Sequence, residues 1–199
     1  MLDREIPFFN TILKSSSYQP TEIELPEGFS IVSYHPGYEM SWAELECSVG
    51  DFASVDDARR YFVSTYLKEQ DAVGNILFLQ NGRGEIVGSC IAWQDERKED
   101  VVSSLHWLVV KEEYQGQGLG RALCCAVMNI FSKRNAFPVY IHTQPWSWKA
   151  IILYVSLGFR LQKTDTFSHY VNQYGEAMET LKELLSEEQY KSLVKSSEE

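Results

Sequence analysis

The chain has 199 residues and a mass of 22.9 kDa, long enough to bury one core without disulfides or metals, and its 44% hydrophobic and 23% charged residues exclude the disordered and fibrous classes. Lys and Arg number 18 against 28 Asp and Glu, a formal charge of -10 that opposes nonspecific binding to nucleic acid or anionic lipid. No run of about 18 apolar residues occurs, and the opening MLDREIPFF mixes charges into the stretch where a signal peptide would be apolar, so the expected location is cytoplasmic, with no membrane or nucleic-acid partner. Cys47, Cys90, Cys124 and Cys125 form no CxxC pair, and His35, His106, His142 and His169 lack ligand spacing, so no metal is expected and a reducing compartment suits the thiols.

Residues 1–27 combine an apolar patch from Ile6 to Leu13 with a serine run and two prolines, Pro20 and Pro26, which reads as an N-terminal arm docked on the body. A domain over residues 28–165 follows, then a helical extension over 166–199 packed on it. Phe29 to Tyr34 alternates as a half-buried strand does, and helical spacing runs from about Met40 to Gly50. A second helix starts at Ser54, with Asp57 in a capping position, and reaches about Glu69. Ile76 to Leu79 and Ile86 to Trp93 read as a hairpin closed by a tight turn at Asn81-Gly82, and Val101 to Val110 as the next antiparallel strand after DERKED. Gly118 to about Asn135 is helical and Val139 to Thr143 is a strand, so the pair forms a right-handed parallel crossover. Ser147 to Leu157 is a helix stopped by Gly158, Phe159 to Gln162 a strand, and two amphipathic helices end the chain, the second begun by Ser186 with Gln189 three residues on. Met178, Leu181 and Leu185 form an apolar stripe that either closes the core, the simpler role, or makes a homodimer contact. The fold class is α+β: a mixed sheet in which an antiparallel meander gives way to a parallel β-α-β crossover, with helices on both faces.

The most informative run is LHWLVVKEEYQGQGLGRAL, residues 105–123, where a strand passes through an acidic turn into a helix with three glycines at its mouth. Without Cβ atoms at Gly116, Gly118 and Gly120, first-turn N–H groups can approach an anion closely, and a diphosphate suits them. The plainer alternative is a glycine-rich turn that merely enters a helix. A dinucleotide fingerprint is excluded because Arg121 stands where a small residue is needed, and a P-loop because Gly-Lys-Ser/Thr is absent.

Gln115, Gly118 and Gly120 match the Q/R-x-x-G-x-G/A signature of the GNAT superfamily of acyl-CoA-dependent N-acyltransferases, which this chain resembles over about residues 29–162. A second family pattern, N-x-x-A-x-x-L-Y-x-x-L-G-F, is met by Ala150, Leu153, Tyr154, Leu157, Gly158 and Phe159, with Ser147 in place of the usual Asn. The resemblance implies a GNAT-like sheet and acetyl-CoA as co-substrate. It implies that Leu108, Val109 and Val110 lend backbone groups to the pantetheine arm. Gln115, Gly116, Gln117, Gly118, Leu119, Gly120 and Arg121 would hold the pyrophosphate, and Ser147 is the candidate for a further cofactor contact, besides being a good N-cap.

Tyr154 falls where the family commonly uses a tyrosine as general acid toward the departing thiolate; otherwise it packs a helix face. His106 falls where some members carry a base on the strand, and alternation along that strand would put it on one face with Leu108 and Val110; otherwise it is a hydrogen-bonded strand histidine. Glu44, Glu46 and Asp51 border the segment that lines the family's acceptor pocket, Glu46 being the chosen candidate, although a solvated helix face explains any one of them more simply. Trp146 and Trp148 are candidate pocket walls, while Trp42 reads as core. The implied activity is transfer of an acetyl group to a primary amine of a small molecule or peptide. A longer acyl-CoA, or a CoA-binding module without turnover, are the alternatives.

Overall fold

The computed structural model describes residues 3, 5–68 and 74–199. Two compact units divide them, the first built from residues 19–93 and 105–130, the second from 3–18, 94–104 and 131–199. A departure from the sequence reading comes early: Thr11–Ser15, inside the expected arm, is strand β1 of the second unit. Ile12 and Leu13 are both fully buried, so the strand is covered on both faces and lacks the alternation that would have marked it.

In the first unit, β2 (Phe29–Ser33) precedes α1 (Tyr38–Val49) and α2 (Val55–Tyr66). Gly50, at φ 92, ends α1, a conformation glycine adopts without strain. Ser54 caps α2 by accepting from the Asp57 N–H, as expected; the predicted helix end near Glu69 lies outside the described residues, and α2 stops at Tyr66. Strand β3 (Ile76–Asn81) pairs antiparallel with β2 and with β4 (Ile86–Arg97). The β3–β4 turn differs from the expected two-residue form. Asn81 N–H donates to the Glu85 carbonyl and Gly84, at φ 81, supplies the left-handed residue, which gives a three-residue loop. Strand β5 (Asp100–Val110) follows a turn at Lys98-Glu99 and leads to α3 (Leu119–Lys133). Ile76, Phe78 and Ile91 pack with Trp42, Leu45 and Phe62 of α1 and α2. On the opposite face of β4, a Cβ at Gly88 would lie 2.8 Å from the Val109 carbonyl oxygen and 3.1 Å from Leu123 of α3. Glycine there lets strand and helix approach, and it establishes helices on both faces of this part of the sheet.

In the second unit the strand order is β5, β6 (Val139–Thr143), β1, β7 (Arg160–Gln162) and β8 (Ser197–Glu198). The expected parallel pairing of β5 with β6 is present at Ser103 with Val139 and Ser104 with Tyr140. Beyond it β1 runs antiparallel to β6 and to β7, and β7 runs parallel to β8. Helix α4 (Trp148–Ser156) follows a 3-10 turn over Pro145–Ser147. Helices α5 (Tyr174–Leu184) and α6 (Glu187–Lys195) complete the unit, with the expected reciprocal cap between Ser186 and Gln189. Met178, Leu181 and Leu185 are buried within the chain and so belong to the core.

Candidate active site

The glycine-rich mouth forms as its residue types dictate. After a 3-10 turn at Glu112–Tyr114, Gly116 and Gly118 take φ values of 78 and 81, and a Cβ at either would meet open space. The first helical bond of α3 is Ala122 N–H to the Gly118 carbonyl, so the amides of Leu119 and Gly120 have no acceptor four residues back in the helix. Residues 115–118 are exposed. Open backbone, first-turn N–H groups and the positive end of a 15-residue helix together fit a diphosphate. Gln115 has a second task, because its side-chain amide donates to the Val110 carbonyl at 2.9 Å and fastens the loop to the end of β5.

Strand β5 is not regular. Trp107 has φ 50, a left-handed conformation that a bulky residue rarely adopts, and it interrupts the two-residue alternation between His106 and Leu108. The shared face inferred for His106, Leu108 and Val110 therefore does not extend across Trp107. Instead, consecutive side chains reach one group: Trp107 Nε1 donates to the Tyr66 hydroxyl at 2.7 Å, and His106 Nδ1 lies 2.8 Å from the same oxygen. Tyr66, fully buried on α2, was readable in the sequence only as a core position of an apolar series. Leu108 is half-buried, while Val109 and Val110 are buried.

The three acidic candidates separate. Glu44 and Asp51 are exposed, but Glu46 is 1% exposed, which overturns its reading as a solvated helix residue. Two residues along a helix turn about 200°, so Glu44 lines a polar cavity of about 490 Å³ with Ser41, Arg83, Lys111 and Tyr114 while Glu46 turns into the core. Burial, and after it the charge of Asp51, push the Glu46 carboxyl well above the usual range. Cys47, half-buried, is likewise raised by burial and then by Glu46 and Asp57, which is the opposite of an activated thiolate.

The second unit holds the remaining candidates. Tyr154 is buried on α4, its ring 6.0 Å from that of Phe159. Ser147 precedes α4 without capping it through its side chain, because its φ of -92 and ψ of 27 turn the hydroxyl away from the helix; that oxygen accepts from the Gln144 amide at 3.0 Å. Trp146 and Trp148 are half-buried in the 3-10 turn and the first turn of α4, rather than in a loop. The Trp146 ring is met edge-on by Phe8 at 5.2 Å, and Lys149 Nζ lies 5.6 Å from the Trp148 ring. Among the described residues no group of three or more His, Cys, Asp or Glu side chains could hold a metal, and no helix is long and apolar enough to cross a membrane.

A strand with a left-handed residue at Trp107 thus leads into a glycine-rich helix mouth. Residues 72–161 match the acetyltransferase (GNAT) domain family. A mycothiol acetyltransferase of Thermobispora bispora is 28% identical over 145 residues, 68% of this chain and 48% of the relative, so the chain spans about half the length of the relative it matches. A GCN5-related N-acetyltransferase of Sphaerobacter thermophilus superposes with a TM-score of 0.63 at 22% identity, covering 77% of this chain and 48% of that one. Glucosamine-6-phosphate N-acetyltransferase of Arabidopsis thaliana gives 0.54 at 15% identity, over 75% of this chain and 99% of that one. The fold is the GNAT fold.

Proposed function

We propose that the chain is an N-acetyltransferase that moves an acetyl group from acetyl-CoA to a primary amine by direct transfer in a ternary complex. The observation that carries this reading is the helix mouth, where Gly116 and Gly118 open the backbone and the first-turn amides of α3 await an anion. The amides from Gln115 to Arg121 would hold the pyrophosphate, the backbone of Leu108, Val109 and Val110 the pantetheine arm, and the Ser147 hydroxyl is the replacement for the family's Asn at that contact. Bound acetyl-CoA supplies a thioester carbonyl and a thiolate leaving group.

His106 takes the proton that the attacking amine loses. That role needs the tautomer in which Nδ1–H donates to the Tyr66 oxygen, 2.8 Å away, leaving the Nε2 lone pair for the proton. Tyr154 gives its phenolic proton to the sulfur, a transfer that a phenol near pKa ~10 can make to a thiolate whose thiol lies near ~8.5. Glu46, Trp146 and Trp148 serve the acceptor. A reducing cytoplasm is the compartment proposed for a protein whose four cysteines are free.

The test is thiol release from acetyl-CoA across a panel of small amines and peptides, run beside Tyr154→Phe. That variant is expected to lower kcat about 100-fold while CoA affinity holds. Turnover near the parent value, with chemistry rate-limiting, would remove Tyr154 from proton transfer.

A further inference from the structure

Two fully buried hydroxyl residues on different elements hold Trp107 at both ends. Its carbonyl accepts from the Ser89 hydroxyl of β4 at 3.2 Å, and its indole N–H donates to the Tyr66 hydroxyl of α2 at 2.7 Å. The ring is also packed against Trp42 at 5.4 Å and Phe52 at 5.6 Å. Between these anchors the backbone takes φ 50, which costs a tryptophan free energy that an extended strand would not. Packing alone does not call for a hydroxyl at Ser89, since alanine would fill the site without burying a polar group. The consequence of the Ser89 contact lies in the next peptide bond. Trp107–Leu108 is trans, and across a trans peptide the C=O and N–H point in opposite directions. A carbonyl turned to Ser89 on β4 therefore turns the Leu108 N–H away from β4.

We propose that Ser89 is a positioning residue for acetyl transfer: its hydroxyl fixes the Trp107 carbonyl and so aims the Leu108 N–H at the thioester oxygen of acetyl-CoA. This deepens the reading given under Proposed function, which lays the pantetheine arm along Leu108, Val109 and Val110, and it rests on that reading. Of those three residues Leu108 stands nearest to His106, the proposed base, so its amide is the one closest to the attacking amine along β5. When the amine nitrogen bonds to the thioester carbon, the carbonyl electron pair moves to oxygen, where the Leu108 N–H meets the charge. Return of that pair breaks the carbon–sulfur bond; the thiolate takes the Tyr154 proton and the amine proton passes to His106. A donor already aimed needs no reorganisation as the charge develops. Ser89 touches none of the reacting atoms and acts through Trp107.

Ser89→Ala removes the hydroxyl and little volume, and three readouts follow it. In the ligand-free protein the three-bond coupling between the amide and α protons of Trp107 reports φ, and in Ser89→Ala it should move from the left-handed toward the extended value. With bound acetyl-CoA labelled at the thioester carbonyl, the carbonyl stretching band should rise in frequency, because a hydrogen bond to the oxygen weakens the C=O bond and the variant loses it. Turnover with the best amine of the panel should show kcat lowered about tenfold and KM for acetyl-CoA unchanged. Ser89→Cys, similar in size with a weaker donor, should fall between the parent and Ser89→Ala in all three. An unchanged coupling, an unshifted band or a parent kcat in Ser89→Ala would overturn the proposal, as would a loss confined to KM, which marks ground-state binding. If Ser89→Ala does not fold, the same outcomes in Ser89→Cys decide. Failure of the parent to bind acetyl-CoA in calorimetry would defeat the acetyltransferase reading and the proposal with it, whereas binding with an unchanged coupling would defeat the proposal alone.

Discussion

Asp165 and Glu46 are carboxyl groups withdrawn from solvent, one in each unit, and their surroundings are opposite. Asp165 accepts from Lys14 Nζ at 3.1 Å, from Arg97 at 2.6 Å and from the Tyr140 hydroxyl at 2.9 Å, while its own Oδ1 receives the Thr166 N–H at 2.9 Å. These partners come from β1, the end of β4 and β6, so one residue ties three strands. Glu46 has an oxygen with no hydrogen bond and a negative neighbour. Burial raises the pKa of both. In Asp165 the hydrogen bonds from Arg97, Tyr140 and Lys14 outweigh it and hold the group at about 2, whereas in Glu46 nothing opposes the rise. A satisfied buried charge is a structural fastening. An unsatisfied one is a cost to the fold.

The comparison breaks most directly at Asp165. Replacing it with alanine strands the Lys14 and Arg97 charges and the Tyr140 hydroxyl, and is expected to cost about 3 kcal/mol in urea unfolding. This is the low end for a broken buried pair, because the Arg97 side chain keeps 35% of its surface in water. Glu46→Gln should leave stability level or raise it. Comparable losses in the two variants would erase the distinction.

Acid sharpens the same contrast with a somewhat smaller effect. The folded pKa of Asp165 is depressed from 3.8 to about 2, so its contribution is complete above the unfolded pKa and is lost as pH falls through the folded one. The shift corresponds to about 2 kcal/mol, forfeited between pH ~4 and ~2. Unfolding free energies measured across that window should fall more steeply for the parent than for Asp165→Asn. Parallel curves would show that Asp165 is not the group that titrates.

What could be read from the sequence follows how local the determining chemistry is. The Ser54 and Ser186 caps, the glycine mouth of α3 and the parallel crossover rest on residue types acting within a few positions, and each is present. Strand β1 was hidden because Thr11–Ser15 is buried on both faces and pairs with residues more than a hundred positions away. The left-handed backbone at Trp107 was hidden because tryptophan gives no signal for such a residue. Glu46 was misread for the same reason. A glutamate between apolar positions on an amphipathic helix looks solvated unless the packing of α2 against α1 is known. Tyr66 shows the limit most plainly, since its ring obeyed the helical pattern while its hydroxyl, which joins two neighbours on β5, could not be inferred from that pattern.

That hydroxyl is also where the smallest of the predicted effects lies. Tyr66→Phe keeps the ring, which packs at 4.7 Å from Trp93 and 5.8 Å from Phe62, and removes only the oxygen that receives the Trp107 N–H and meets His106 Nδ1. Leaving the indole donor without that acceptor should cost about 1 kcal/mol of stability. If His106 is the base, losing the group that fixes its tautomer should also lower kcat by about tenfold, the equivalent of one hydrogen bond of about 1.4 kcal/mol, with KM for acetyl-CoA unchanged. His106→Ala supplies the reference: adding Tyr66→Phe to it should cost no further rate, because a positioning residue has nothing left to position. An independent loss in the double variant would separate Tyr66 from proton transfer and confine it to holding the Trp107 indole.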